Sequence, residues 1–152
     1  MLSIMDEWRS KLIDDSAGIR ALLEAARRVA VLGIKTEAQA GEPAFYVAKF
    51  LQDAGIEVVP VPVYFPESNE ILGKPVYRSL VDVPGEIDIV DVFRRSADVA
   101  RHLDDMLAKR PKAVWMQSGI RNDAVAEALA RAGIAVVQDH CMMVELRRIR
   151  AA

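Results

Sequence analysis

The chain has one cysteine, Cys141, and two histidines, His102 and His140, in 152 residues. A single thiol forms no intrachain disulfide, and such sparing use fits a reducing cytoplasm. The histidines have no metal-ligand spacing, which argues against a zinc site. Acidic and basic residues nearly balance, at 22 and 20, for a formal net charge of −2. No basic surplus points to nucleic acid. Long apolar runs are missing too. Met1 to Ile13 is interrupted by Asp6, Glu7, Arg9 and Lys11, so neither a signal peptide nor a membrane span is read there. There is no internal repeat and no low-complexity tract. Gly33 has no glycine two positions on, and Gly41 lies too far away for G-x-G-x-x-G. The phosphate-loop pattern G-x-x-x-x-G-K-[ST] and the redox pattern C-x-x-C are absent as well.

What is present is an alternation of apolar runs and helical periods. A hydrophobic content of 52% with 28% charged residues is ordinary for a globular protein, and the length suits one domain over 1–152. Residues 1–27 read as a helical lead-in, with Ile4, Trp8 and Leu12 on one side and Ser16 as a helix cap ahead of Ile19, Leu22, Leu23 and Ala26. From Arg28 to Leu32 the chain is apolar and lacks polar alternation, as in a strand buried on both faces, and Gly33 ends it. Pro43 suits a first helical position, Ala44, Val47, Ala48 and Leu51 follow at helical spacing, and Gly55 closes the helix. Ile56 to Val59 is the next strand, completing a βαβ unit. A proline-rich connection follows, with a brief strand near Val76 and one helical turn capped by Ser79. Further strands are expected at Ile87–Phe93, Ala113–Met116 and Ile134–Val137. Helices capped by Ser96 and Asn122 separate them, and a basic helix over Met142–Arg150 closes the chain. The pattern predicts an α/β fold: a Rossmann-like, doubly wound, mainly parallel sheet with helices on both faces.

Right-handed crossovers put all strand C-ends on one edge, where open sheets bind ligands. That edge gathers Gly33, Ile34, Lys35 and Thr36; Pro62 and Val63; Phe93, Arg94 and Arg95; Gln117, Ser118 and Gly119; and Asp139, His140 and Cys141. Lys35, Arg94 and Arg95 are cationic, and the turns at Gly33 and Gly119 are expected to offer backbone N–H groups to an anion. Phe93, Pro62 and Tyr64 suit the faces of a flat ring. Arg94 and Arg95 are otherwise a solvated pair beside Asp98, but their place at a strand end favours a ligand. His140 next to Cys141 suggests a thiolate nucleophile, yet sequence neighbours seldom bring sulfur and imidazole together. His102 is expected on an exposed helix face. Asp88 and Asp91 point to opposite faces if both lie in one strand, which makes no carboxylate pair for acid–base work.

Three segments carry a resemblance: Asp88-Ile89-Val90-Asp91-Val92-Phe93-Arg94-Arg95, Val114-Trp115-Met116-Gln117-Ser118-Gly119-Ile120 and Asp139-His140-Cys141. Val29 to Gly33, Tyr46 to Leu51, and Pro60-Val61 add to it. The chain resembles, from about Ser16 to Arg148, the small single-domain CoA-binding proteins, whose fold is shared with the CoA-binding domain of the succinyl-CoA synthetase α subunit. The resemblance implies a coenzyme A pocket in which Gly33, Ile34, Lys35 and Thr36 approach phosphate. Pro62 and Val63 would border the nucleotide, and Phe93, Arg94, Gln117, Ser118 and Gly119 would line the rest. Where the family usually has Asn-Pro, this chain has Pro62-Val63, and Pro43-Ala44 replace the usual serine near the first helix. The synthetase's phosphorylated histidine lies in a different domain, so ligase activity is not implied. The expected function is binding of CoA or acyl-CoA without catalysis, catalytic and metal-ligating residues being none. The partners expected are CoA or acyl-CoA, with no nucleic acid or membrane, and assembly as a homo-oligomer stays open. Two alternatives remain at this point: a small acyl-CoA-dependent enzyme using the same pocket with Cys141, or an NAD(P)-binding regulatory module. The acid expected to meet a ribose hydroxyl falls near Glu67 or Glu70, in a loop, which weakens the latter.

Overall fold

The computed structural model describes residues 4–151. Expectations for Met1–Ser3 and for the side chain of Ile4 fall outside the described residues. Five parallel strands form the sheet: β1 (Arg28–Leu32), β2 (Glu57–Val61), β5 (Ile89–Val92), β6 (Ala113–Met116) and β7 (Ala135–Val137). Their spatial order is β2-β1-β5-β6-β7. Two short strands, β3 (Glu70–Ile71) and β4 (Lys74–Pro75), pair antiparallel in the connection after β2. The brief strand expected near Val76 is this hairpin, placed slightly earlier.

Alternate residues of each strand feed two cores, as a period of two demands. Val29, Val31, Ile89, Ala113 and Trp115 join one apolar cluster with Ile19, Leu23, Phe45, Leu51, Met142 and Leu146. Those helical residues belong to α1 (Ser16–Ala25), α2 (Pro43–Asp53) and α5 (Met142–Ala151). Ala30, Leu32, Val90, Val92, Val114 and Met116 join the other cluster with Met106, Val125 and Leu129, from α3 (Leu103–Lys109) and α4 (Asp123–Arg131). Helices thus cover both faces, and the doubly wound α/β expectation holds. The apolar strand runs follow from that two-sided burial.

Pro43 starts α2, and Gly55 after it has φ +93°. Asn122 caps α4 by accepting from Val125 N at 3.1 Å. Two caps differ from expectation. Asp15, not Ser16, caps α1, because its carboxylate reaches Gly18 N at 3.1 Å and satisfies an otherwise orphaned donor. Ser96 caps no helix: the chain runs as a 3-10 helix over Ser96–His102 before α3 begins. The Ser96 hydroxyl is instead drawn to the β6 end, where it accepts from Arg121 N at 3.0 Å. The lead-in protects the far sheet edge. Leu12 bridges Val136 in parallel, and Ile13 N donates to Val136 O at 2.8 Å, giving β7 a partner for its open edge.

Candidate ligand-binding site

β1 lies between β2 and β5, so the chain leaves the sheet centre in opposite directions on either side of it. That reversal opens a crevice at the strand C-ends, the switch point of a doubly wound sheet. A cleft of about 690 Å³ lies there, bordered by Gly33 and Lys35 after β1, Phe93, Arg94 and Arg95 after β5, and Gln117, Ser118 and Gly119 after β6. The start of α2 closes one side with Glu42, Pro43, Ala44, Tyr46 and Val47, and Tyr64, Ile120 and Cys141 complete the wall. Its size is that of a cofactor site.

Gly33 is required by geometry. Its φ is +85°, and a Cβ built there would stand 2.2 Å from the Phe93 carbonyl oxygen. The ends of β1 and β5 can approach this closely only because residue 33 has no side chain.

Arg94 is the best-held cation of the site. It is 8% exposed. Its Nε donates to His102 Nε2 at 3.1 Å, and an Nη donates to the Tyr64 hydroxyl at 3.3 Å. The guanidinium carbon also lies 5.6 Å from the Tyr64 ring centroid, within cation–π range. Arg94 draws the Tyr64 hydroxyl pKa below its usual value, first by that hydrogen bond and then by charge. The loop bearing Tyr64 is tied down by Arg78, whose guanidinium donates to the carbonyls of Phe65, Pro66 and Ser68. His102 is half-buried rather than exposed, because the 3-10 turn rotates it toward Arg94. Burial, then the Arg94 charge, lowers its pKa. Arg95 is largely exposed and pairs with Asp98 at 2.9 Å, which holds the Asp98 carboxyl below the usual carboxylate range.

Lys35 meets Glu42 at 2.5 Å across the cleft mouth. Several N–H groups of the expected phosphate turns are already engaged: Gly33 N with Val61 O at 2.8 Å, Lys35 N with Ala44 O at 3.0 Å and Thr36 N with Gln39 Oε1 at 3.0 Å. Gly119 N donates to Asp139 Oδ1 at 2.6 Å. The cleft also carries three side-chain cations, Lys35, Arg94 and Arg95.

Four expected site residues stand away from the cleft wall. Ile34 is 1% exposed in the core. Thr36 forms a capping box with Gln39. Pro62 is buried, and Val63 packs on the second core cluster. Tyr64, one residue on, reaches the cleft instead. Periodicity and spacing single out neither Glu42 nor Arg78, and Tyr46 enters only within a segment that carries the resemblance; their parts depend on where α2 and the loop fold back.

Cys141 borders the cleft, but His140 does not serve it. The His140 ring nitrogens face Asp14 at 3.2 Å and Glu145 at 3.4 Å. Asp88 lies outside β5 and accepts from Arg27 N and Arg28 N at 2.8 and 2.9 Å, away from Asp91 within the strand. Among the described residues no cluster of His, Cys, Asp and Glu offers a metal site, and no helix is long and apolar enough to cross a membrane.

The model of the CoA binding domain matches residues 27–147. The chain belongs to the CoA-binding domain family. The matched span takes in every residue that borders the cleft. Within this likeness, the uncharacterized protein YneT of Bacillus subtilis (strain 168) is 34% identical over 128 residues, which is 84% of this chain and 91% of that protein. A solved Thermus thermophilus structure, cell-free ID.343, is 40% identical with a TM-score of 0.81, over 90% of this chain and 99% of that one. A hypothetical protein from Pyrococcus horikoshii OT3 is 28% identical with a TM-score of 0.80, over 90% and 93% of the two chains. The Ca. Korarchaeum cryptofilum acetyl-coenzyme A synthetase 1 shares the fold, with a TM-score of 0.60 at 19% identity over 72% of this chain and 25% of that chain.

Proposed function

We propose that this CoA-binding-domain protein binds coenzyme A or an acyl-CoA in the cleft between the ends of β1, β5 and β6, and catalyses no reaction by itself. The observation that carries the reading is Arg94, a buried guanidinium at the switch point of a parallel sheet, opposite an apolar wall. Coenzyme A pairs phosphates with a long uncharged arm and a flat base, and the cleft offers partners for each. Arg94, Arg95 and Lys35 suit the phosphates. Ala44, Val47, Phe93 and Ile120 suit the arm, and Tyr46 or Tyr64 suits a face of the base. The ring nitrogens of His140 are engaged by Asp14 and Glu145 rather than by Cys141, which favours binding over thiol catalysis. A lone thiol and a thiol-bearing ligand both suit a reducing cytoplasm. Calorimetric titration with CoA and NAD side by side tests the reading. CoA is expected to bind and NAD to bind more weakly; tighter binding of NAD would overturn it.

A further inference from the structure

Asp91 stands in the middle of the sheet, in register between Val31 on β1 and Trp115 on β6. It is 0% exposed. Its hydrogen bonds come from Gln117, whose side-chain nitrogen donates to both carboxyl oxygens at 2.8 and 3.0 Å. The Gln117 carbonyl oxygen accepts from Met142 N at 3.3 Å. A backbone N–H only donates, so the amide is fixed with its oxygen toward α5 and its nitrogen toward Asp91. Gln117 borders the cleft, as does Cys141, which immediately precedes α5. A carboxyl group in the core is thereby linked through one amide to the cleft floor.

The strand itself does not call for an acid at this position. Neighbouring β5 residues Ile89, Val90 and Val92 are apolar and buried, and an apolar residue at 91 would avoid the cost of burying a carboxyl. Among the described residues no cation pairs with Asp91: Lys35 meets Glu42, Arg95 meets Asp98, and Arg94 is held by His102, Tyr64 and, at 4.0 Å, Asp98. Burial accordingly pushes the Asp91 carboxyl up to about 8, against a smaller opposing pull from Gln117. A neutral acid keeps its proton on one carboxyl oxygen and takes the Gln117 N–H on the other, and it leaves room for an anion above it. An ionised one would repel phosphate through a poorly screening interior.

We infer that Asp91 is a positioning residue of the cleft, which as a neutral acid sets Gln117 and admits an anionic ligand, and on ionising disfavours it. The inference rests on the CoA reading. An anion that prefers the neutral form binds more weakly as pH rises through the Asp91 midpoint, because binding and proton retention are linked.

The test is the CoA dissociation constant across roughly pH 6.5–9.5, either side of a carboxyl raised this far, for the wild type, Asp91→Asn and the double variant Asp91→Val with Gln117→Met. The wild type should weaken at least about threefold over that range, and Asp91→Asn should lose the decline. The double variant replaces both members of the buried polar pair but leaves Met142 N without its acceptor, so its melting temperature should fall modestly. Its CoA affinity should fall at a temperature where it is fully folded, which a purely structural pair would not give. An Asp91→Asn profile matching the wild type, or wild-type affinity in the double variant, would overturn the inference while leaving CoA binding intact. Absence of CoA binding by the wild type would remove the ligand reading instead. The side-chain amide resonances of Gln117 then decide: a shift with a midpoint above about 7, absent in Asp91→Asn, supports the link, and no shift overturns it.

Discussion

Arg94 Nε donates to His102 Nε2 at 3.1 Å. The accepting nitrogen carries no proton, so His102 is neutral with its proton on Nδ1. Protonating it would break the bond and set two cations side by side. Its NMR titration should show a midpoint below the ordinary histidine value of about 6.5, as burial and then Arg94 dictate. An ordinary or raised midpoint would remove this contact from the site. Arg94→Ala should weaken CoA binding by about ten- to hundredfold, the loss of a charge-assisted hydrogen bond. If Arg94 serves the 3′-phosphate, dephospho-CoA loses less.

Lys35 is neutralised in the free protein by Glu42. An incoming phosphate must compete with that carboxylate. Both side chains are partly exposed, at 36% and 49%, so the pair is worth no more than about 1 kcal/mol. Glu42→Gln should strengthen CoA binding by roughly two- to fivefold, and Lys35→Ala should weaken it. Fluorescence or calorimetric titration at fixed salt reads both. Weaker binding by Glu42→Gln would mean that Glu42 contacts the ligand instead of competing with it.

Cys141 borders the cleft, and the adjacent His140 is engaged by Asp14 and Glu145. Cys141→Ala should keep the fold and hold CoA affinity within about twofold, since a small apolar contact is all that changes. Incubation of the wild type with an acyl-CoA should leave the protein mass unchanged. A thioester adduct on Cys141 would restore the enzyme reading.

Gly33 and Gly119 both have positive φ, at +85° and +80°, but only Gly33 sits against backbone. A Cβ at Gly33 meets the Phe93 carbonyl oxygen at 2.2 Å, whereas one at Gly119 meets nothing within 4 Å. Gly119→Ala should cost about 1–2 kcal/mol from strain alone. Gly33→Ala should cost distinctly more, by roughly a further 1–3 kcal/mol, because β1 and β5 must separate. Urea denaturation of the two variants compares them directly, and equal costs would refute the close approach.

Asp91 also makes stability depend on pH. The folded form keeps its proton up to about pH 8, while the unfolded chain releases it near pH 4, as a free aspartate does at about 3.9. Its contribution is fully present below the unfolded value and declines as pH rises to the folded one. The slope approaches about 1.4 kcal/mol per pH unit for one proton. Thermal melts should therefore show the wild type falling relative to Asp91→Asn between about pH 5 and 8. Parallel curves would mean that Asp91 is ionised in the fold.

Much of the scaffold was decided by the sequence alone. Both faces of the central strands are buried, so Val29–Leu32 and Ala113–Met116 had to be continuously apolar, and such runs are visible without a structure. Pro43, Gly55 and Asn122 punctuate the helices through their own backbone and capping preferences, which are local. The strand C-ends followed from the alternation of strands and helices, and with them Gly33, Lys35, Phe93, Arg94 and Gln117 to Gly119. Tertiary structure decided the rest. Asp15 replaced Ser16, and Ser96 left its helix, because competing hydrogen-bond partners lie beyond the local pattern. The hydrogen-bond partners of Arg94 are 8 and 30 residues away, and Gln117 is 26 residues from Asp91. Periodicity cannot report such distances. They are fixed when β1 inserts between β2 and β5, which brings separate strand ends within side-chain reach and leaves a carboxyl group buried under the cleft they enclose.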